Sequence, residues 1–169
     1  MISAPVADVL AEAADFRTAM RELAAGVTLV TAEGAHGPRG LTATAVCSVS
    51  AEPPTLLVCV NRASEGHAAI AAAGAFCVNV MAHEHRALAE HFAGRSGAHG
   101  AERFAHGAWR TLATGAPVLE DAIAAFDCRV VRTLDWGTHT VFLGAVAATS
   151  TAAPARAALI YRAGAFAAG

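Results

Sequence analysis

Hydroxyl side chains recur at alternate positions of one apolar stretch, residues 41–50. In an extended strand alternate residues share a face, so Thr42, Thr44, Ser48 and Ser50 point the same way. Small hydroxyls leave room for a flat ligand and offer donors and acceptors to its polar edge. A strand that faces solvent also carries hydroxyls, so this pattern alone leaves both interpretations open.

A second polar set, Asn61, Arg62 and Ser64, precedes a predicted helix. Ser64 is a typical helix N-cap, and Gly74 suits the helix end. Free amides at a helix N-terminus beside a guanidinium bind phosphate. An ordinary cap next to an exposed arginine is the alternative. Together the hydroxyl face and this phosphate cradle predict one ligand, with a planar polar ring at one end and a phosphate at the other.

The histidines divide into two groups. His139 begins an apolar strand. It is either a ligand contact or a strand-end residue with no functional role. His83 and His85 lie two residues apart, so on a helix their side chains diverge, and we expect no metal site there. An exposed polar helix face is the preferred interpretation of residues 83–91. The glycine pattern of a Rossmann dinucleotide site is absent from the sequence.

The elements that must position these residues are mostly strands, separated by turn residues. Strands are predicted at 27–32, 41–50, 55–60, 75–81, 123–134, 138–149 and 158–162, the third of them buried on both faces. Helical spacing is seen at 67–73 and 84–92, and in the N-terminal set Val9, Leu10, Ala13, Phe16, Met20 and Leu23. Antiparallel hairpins without regular strand-helix alternation favour a closed or partly closed barrel.

Composition limits the classes of function. The 169 residues fit one domain, and a net charge of -2 makes nucleic acid an unsuitable partner. No apolar run reaches the roughly 18 residues of a membrane helix. Four cysteines in apolar runs, without a C-x-x-C pair, indicate buried free thiols. With no signal-type N-terminus, we expect a cytoplasmic protein that is not attached to a membrane.

Five blocks of sequence, in order, resemble one known family. They are R-G-L-T-A-T-A, S-V-S-x-x-P-P-x-L-x-x-C-V-N-R-x-S, F-C-V-N-V, G-x-H-T-V-F-L-G and L-I-Y-R-x-G. The chain is similar over residues 16–166 to the flavin reductase domain family, the small reductase partners of two-component flavin monooxygenases, of the hydroxyphenylacetate type. The resemblance implies a mainly β fold with short helices, a Greek-key split β-barrel that binds FMN, in a single domain over residues 1–169.

The resemblance also implies the site. Gly40 lets the backbone approach the flavin ring, and Thr42 to Thr44 bond its pyrimidine edge. The residues of this chain that match the family's flavin-contacting positions are Arg39, Gly40, Leu41, Thr42, Ala43, Thr44, Ser48, Asn61, Arg62, Ser64, Phe92, Arg95 and Ser96. The residues that the resemblance assigns to nicotinamide contact are His139, Tyr161 and Phe166. His139 is also the catalytic candidate. The family usually places an acidic residue before this histidine, whereas this chain has Thr138.

The function that the resemblance implies is NAD(P)H-dependent reduction of FMN, or of FAD, by hydride transfer. The partners expected are a second copy of the chain in a homodimer and a monooxygenase that uses reduced flavin. One alternative is a flavin-binding split barrel that does not oxidise nicotinamide. Another is an interaction barrel without flavin. Dependence of NADH consumption on added flavin separates these interpretations.

Overall fold

The computed structural model describes residues 10–153 and 155–169, and twelve strands form within them. They are β1 (Ala25–Gly26), β2 (Thr28–Gly34), β3 (Gly37–Ala43), β4 (Val46–Ala51), β5 (Pro54–Asn61), β6 (Ala75–Val80), β7 (Trp109–Arg110), β8 (Val118–Leu119), β9 (Ala124–Trp136), β10 (His139–Thr151), β11 (Leu159–Arg162) and β12 (Ala165–Ala168). Every predicted strand is present, although residues 41–50 are divided between two strands, β3 and β4.

The helices are short. They are α1 (Ala13–Met20), α2 (Glu65–Ala73) and α3 (Arg86–Phe92), with 3₁₀ turns at His83–His85 and Gly100–Ala105. The predicted N-terminal helix is confirmed for α1, which ends before Leu23 and contains no buried residue. Val9 of that prediction lies outside the described residues. No helix in the described residues is long and apolar enough to cross a membrane.

Seven strands form one antiparallel sheet in the order β3-β2-β6-β9-β10-β5-β4. Its two edge strands, β3 and β4, are joined by only two residues, Thr44 and Ala45. Two residues bring the ends of these edges within about 11 Å of each other, so the sheet must curl until its edges meet. No ladder pairs β3 with β4, which leaves a split in the wall. The predicted mainly β split barrel with short helices is confirmed.

The prediction of one continuous strand over residues 41–50 is wrong. Before the break the chain pairs with β2, and after Ala45 it pairs with β5. The new pairing begins at Ala45, whose carbonyl accepts from the Cys59 amide at 3.0 Å. The sequence alternates throughout residues 41–50, but Ala43 before the break and Val46 after it both pack in the core, so the inward-facing positions change from odd to even numbers. A period of two therefore reveals a strand but not a change of its partner.

The main core cluster joins the barrel strands to α2. Its buried members are Val30, Ala32, Ala43, Leu56, Val58, Val60, Ala69, Ile70, Phe76, Val78, Cys128 and Phe142. On β5 the buried residues alternate with half-buried Leu57 and Cys59, so the prediction that this strand is buried on both faces is wrong for its outer face. A barrel strand directs only alternate residues inward.

The cysteines are all free thiols. Cys77 and Cys128 are buried, Cys59 is half-buried, and Cys47 is exposed, so the prediction of buried thiols is wrong for Cys47. The reason is that Cys47 lies on the edge strand β4, most of which faces solvent. Burial, and then the neighbouring carboxylate of Asp127, raise the pKa of the Cys128 thiol to about 12.

Candidate functional site

Two cavities lie along β3, one near its middle and one just past its end. The first, which we call the α2 cleft, has a volume of about 230 Å³ and is lined by Gly40, Leu41, Ala63, Ser64, Glu65, Gly66, His99 and Arg103. The second, the α1 cavity, has a volume of about 430 Å³ and is lined by Arg17, Met20, Arg21, Leu23, Ala25, Thr44, Ala45 and Tyr161. Gly40 and Thr44 are four residues apart, about 13 Å along an extended chain.

The α2 cleft is built on a capped helix N-terminus, as predicted. The Ser64 hydroxyl accepts from the His67 amide at 3.1 Å and donates to the Asn61 carbonyl at 2.8 Å. The Asn61 side-chain oxygen accepts from the Ala63 amide at 2.9 Å, which tightens the turn before the helix. Gly74 ends the helix with φ of 63°. The turn and cap therefore hold the first amides of α2 at the cleft.

Arg103 is the guanidinium that lines this cleft, and the sequence prediction missed it. It donates to the carbonyls of Ala98 at 2.9 Å, Phe92 at 3.1 Å and Gly40 at 3.3 Å. It thereby ties the loop after α3 to β3. Only the fold shows this position, since Arg103 lies in a short 3₁₀ helix with no motif around it. A carboxylate, Glu65, also borders the cleft and accepts from the Gly100 amide at 3.0 Å.

Of the predicted hydroxyls, only Thr44 lines the α1 cavity. Thr42 donates its hydroxyl proton to the Ala89 carbonyl of α3 at 2.6 Å and so faces the helix. Ser48 lines a separate cavity of about 290 Å³, together with barrel residues such as Val78 and Phe126. The break at residues 44–45 is the reason, because it places the two halves of the predicted face on different edges of the sheet.

Asn61, Arg62 and His139 come together where β5 meets the β9–β10 hairpin. His139 pairs with Asn61 in the ladder, and its Nδ1 lies 2.9 Å from the Thr138 hydroxyl. The Arg62 amide donates to the Thr138 carbonyl at 3.0 Å, and Arg62 Nη2 donates to the Gly137 carbonyl at 2.6 Å. Arg62 therefore holds the hairpin turn beside His139, while Arg103 occupies the cleft.

A chain of side-chain hydrogen bonds ties α2 to the same hairpin. Thr140, with 3% of its surface exposed, donates to Asp135 Oδ1 at 2.5 Å. Its oxygen lies 2.9 Å from His67 Nε2, which must then be the protonated nitrogen. Asp135 also lies 3.8 Å from Arg62 Nη1. The sequence prediction missed this chain, because His67 and Thr140 are 73 positions apart.

The remaining predicted residues form two groups. Arg95 lies 5.8 Å from the ring centroid of Phe166, and the Tyr161 and Phe166 centroids are 5.2 Å apart, so these three come together. The other four residues have local or buried roles. Arg39 donates to the carbonyls of residues 36–38, Ser96 accepts from the Ala98 amide, and Ala43 and Phe92 are buried.

The flavin reductase like domain family matches residues 20–169, which include the hairpin, the α2 cleft and the α1 cavity lining except Arg17. The chain belongs to this family. The resemblance found in the five sequence blocks is therefore confirmed. Family membership covers the strands that carry the cavities, while part of α1 precedes the matched region.

Two curated relatives of this flavin reductase family member are named FMN reductase (NADH) RutF. The protein from Agrobacterium fabrum is 50% identical over 129 residues, covering 76% of this chain and 73% of the relative. A protein from Methylorubrum extorquens is 47% identical over 159 residues, covering 94% of this chain and 78% of the relative.

Solved structures of flavin reductases have the same fold. BorF, the flavin reductase component of a bacterial two-component tryptophan halogenase, has a TM-score of 0.84 and 33% identity, covering 93% of this chain and 98% of BorF. The NADH:FAD oxidoreductase SgcE6 of Streptomyces globisporus was solved with NAD and FAD fragments. It has a TM-score of 0.81 and 32% identity, covering 94% of this chain and 95% of SgcE6.

A fourth cavity in this flavin reductase family member, of about 410 Å³, is lined partly by histidines. Its residues are Glu84, His85, Ala87, Leu88, His91, His106, Gly107, Leu119 and Asp121. The prediction of an exposed face is wrong for His85, because the 3₁₀ turn directs it inward, where Nε2 lies 2.9 Å from Asp121. Burial, then His106 and Arg103, lower the pKa of His91. No group of three metal-ligating residues is placed to hold an ion among the described residues.

Proposed function

We propose that this protein is an NADH-dependent flavin reductase that reduces FMN and supplies the reduced flavin to a partner monooxygenase. The observation that carries the proposal is the pair of cavities along β3, in a chain 50% identical to a protein named FMN reductase (NADH). One cavity has the chemistry for a ring and the other has the chemistry for a phosphate. FAD is the second flavin to be tested, because SgcE6 is named an NADH:FAD oxidoreductase.

The ring of the flavin fits the α1 cavity. Met20, Leu23 and Ala45 offer an apolar surface, Tyr161 offers an aromatic ring, and Thr44 offers a hydroxyl. Gly40 is required for packing against α3, because a Cβ there would lie 2.7 Å from a carbon of the buried Phe92 ring. Leu41, Thr42 and Ala43 lie between Gly40 at the α2 cleft and Thr44 at the α1 cavity.

The phosphate fits the α2 cleft. The amides at the start of α2, the Ser64 cap and Arg103 surround it, and a helix N-terminus favours an anion. The separation of about 13 Å along β3 leaves room for the ribityl chain between ring and phosphate. Asn61 shapes the turn, and Arg62 holds the neighbouring hairpin. Arg39, Ser48, Arg95 and Ser96 remain proposed contacts at the edges of this site.

The flavin, when bound, supplies the redox chemistry, since its N5 accepts the hydride that nicotinamide C4 gives up. The protein would supply position, with the residues of the α1 cavity holding the flavin ring where nicotinamide can reach it. His139, steadied by Thr138 and by the ladder to Asn61, is the proposed wall and hydrogen-bonding group on the nicotinamide side. Tyr161 and Phe166, in edge contact, are the proposed aromatic surface for the substrate.

A homodimer is the proposed assembly. Phe16, Met20 and Leu23 on and after α1 are 47–61% exposed, and Val131, Leu134 and Trp136 on β9 are 58–74% exposed. Apolar surface of this extent favours association with a second copy. Light scattering at micromolar concentration is expected to give twice the chain mass, and a monomer would contradict the proposal.

We place the protein in the cytoplasm as a single domain. Four free thiols, two of them buried, suit a reducing compartment. Labelling with a thiol reagent in denaturant, straight from a cell extract and before any reductant is added, is expected to find all four thiols reduced.

The experiment that tests the proposed activity crosses three flavins with two nicotinamides in a steady-state assay. FMN, FAD and riboflavin are each combined with NADH and NADPH. We expect NADH consumption that depends on added flavin, with FMN giving the highest kcat/KM. Flavin binding without nicotinamide oxidation would leave a non-catalytic flavin-binding barrel, and no flavin binding would leave an interaction barrel.

A further inference from the structure

Arg17 and Arg21 both line the α1 cavity, although no part of the proposed flavin site requires them. They are four residues apart, so they lie on one face at the C-terminal end of α1. Within residues 10–153 and 155–169, neither guanidinium has a hydrogen-bond or ion-pair partner. Two like charges on one helix face repel each other, so an anion in the cavity would stabilise both.

The helix that carries these arginines is fixed in place, although it buries nothing in the core. The Ala163 amide donates to the Arg21 carbonyl at 2.6 Å, and Arg162 Nη2 donates to Glu22 Oε2 at 3.0 Å. Both bonds come from the turn between β11 and β12. They anchor the end of α1 beside Tyr161, so the two guanidinium groups are presented to the cavity rather than carried on a free segment.

The number of cationic groups exceeds what one flavin needs. FMN has a single phosphate, and the α2 cleft already provides helix amides, Ser64 and Arg103 for it. The arginines of the α1 cavity lie past the other end of β3, about 13 Å along the strand from Gly40. A second cation pair at the ring end of the site suits a second anionic ligand.

We infer that Arg17 and Arg21 bind the pyrophosphate of the nicotinamide dinucleotide. The inference rests on the proposed function, since it takes the ring cavity as the place where nicotinamide meets flavin. Guanidinium groups suit phosphate oxygens, because each offers a fork of donors that pairs with two of them. The same chemistry would suit the pyrophosphate of FAD, so the experiment must separate the two dinucleotides.

The test uses an Arg17→Gln, Arg21→Gln double variant and three hydride donors. NADH carries a pyrophosphate, reduced nicotinamide mononucleotide carries one phosphate, and 1-benzyl-1,4-dihydronicotinamide carries none. With FMN as the flavin, we expect the KM for NADH to rise about tenfold to a hundredfold, as loss of two charge-assisted contacts predicts. Turnover with the benzyl donor and the KM for FMN are expected to stay within about twofold of wild type.

Controls separate a lost contact from a lost structure. An Arg86→Gln variant removes an exposed arginine of α3 that does not line the α1 cavity, and it is expected to leave the kinetics with all three donors unchanged. An Arg17→Lys, Arg21→Lys variant keeps both charges and is expected to recover most of the affinity for NADH. The urea midpoint of the glutamine variant is expected to match wild type, because both arginines are exposed.

Each other outcome overturns the inference. Equal losses for NADH and the benzyl donor would mean that the arginines maintain the cavity and not the pyrophosphate. A rise in KM for FAD, with the KM for NADH unchanged, would assign them to the flavin dinucleotide. An unchanged KM for NADH would leave them as solvated arginines near a helix C-terminus. Wild type that fails to oxidise NADH with any flavin would instead refute the proposed function on which the inference rests.

Discussion

Replacing Thr140 with valine would cut the hydrogen-bond chain between α2 and the β9–β10 hairpin. Valine keeps the shape of threonine, so the variant removes the hydroxyl without opening a cavity. The hydroxyl donates to Asp135 at 2.5 Å and lies 2.9 Å from His67 Nε2. Both partners lose a bond, and the half-buried imidazole has less access to water than the carboxylate.

The size of the effect follows from these partners. A hydrogen bond to a charged group contributes about 1.5–3 kcal/mol, but Asp135 is 65% exposed, so water replaces much of that bond. The bond to His67 contributes about 1 kcal/mol. We therefore expect a loss of about 1–2 kcal/mol in the free energy of unfolding. For a chain of this length that corresponds to a fall of about 2–8 °C in Tm.

Urea unfolding and pre-steady-state flavin reduction measure the two consequences. Thr133→Val is the matched control, because Thr133 is an exposed threonine of the same hairpin. The Thr140 variant is expected to lose stability, and to transfer hydride severalfold more slowly because Arg62 and His139 are held less firmly. A Thr140 variant as stable as the Thr133 control would refute the view that this chain of bonds holds the hairpin.

Four further changes test other parts of the structure. Gly144→Ala is expected to cost about 1–3 kcal/mol in urea unfolding, since its Cβ would lie 2.5 Å from a buried phenylalanine ring; unchanged stability would contradict this packing. A thiol reagent at pH 8 is expected to label Cys47 quickly and to spare Cys128, which stays protonated because its pKa is raised to about 12; rapid labelling of native Cys128 would contradict this. Ser64→Ala is expected to cost about 1 kcal/mol of stability and to weaken binding of FMN more than of riboflavin; equal binding losses would remove Ser64 from the phosphate site. His139→Ala is expected to raise the KM for NADH or lower kcat while flavin affinity stays the same; unaltered kinetics with lower thermal stability would make His139 structural.

Local signals predicted much of the fold. Ser64 and Gly74 mark the ends of α2 because caps and left-handed turns depend on a few neighbouring residues. The hairpin of β9 and β10 follows equally from two apolar runs around a short turn. The break at Thr44 and Ala45 could not be predicted, since the sequence alternates across it although the inward-facing positions change from odd to even numbers.

The candidate site was predictable only in part, for a related reason. Gly40 on β3 and Thr44 just after its end line the two neighbouring cavities, whereas Ser48 was assigned to the same face and lines another cavity. Contacts across the sheet left no pattern in the sequence. Arg103 lines the α2 cleft from a distant loop, and Thr140 bonds to His67 from a strand 73 positions away.

Anaerobic stopped-flow mixing of NADH with the protein and FMN tests the central claim most directly. The visible absorbance of oxidised flavin is followed with NADH and with NADH that carries deuterium at the transferred C4 position. We predict bleaching at a rate proportional to protein concentration and slowed by deuterium, because hydride moves directly from nicotinamide to flavin in the site along β3. Bleaching no faster than in the absence of protein would contradict the claim that this chain is a flavin reductase.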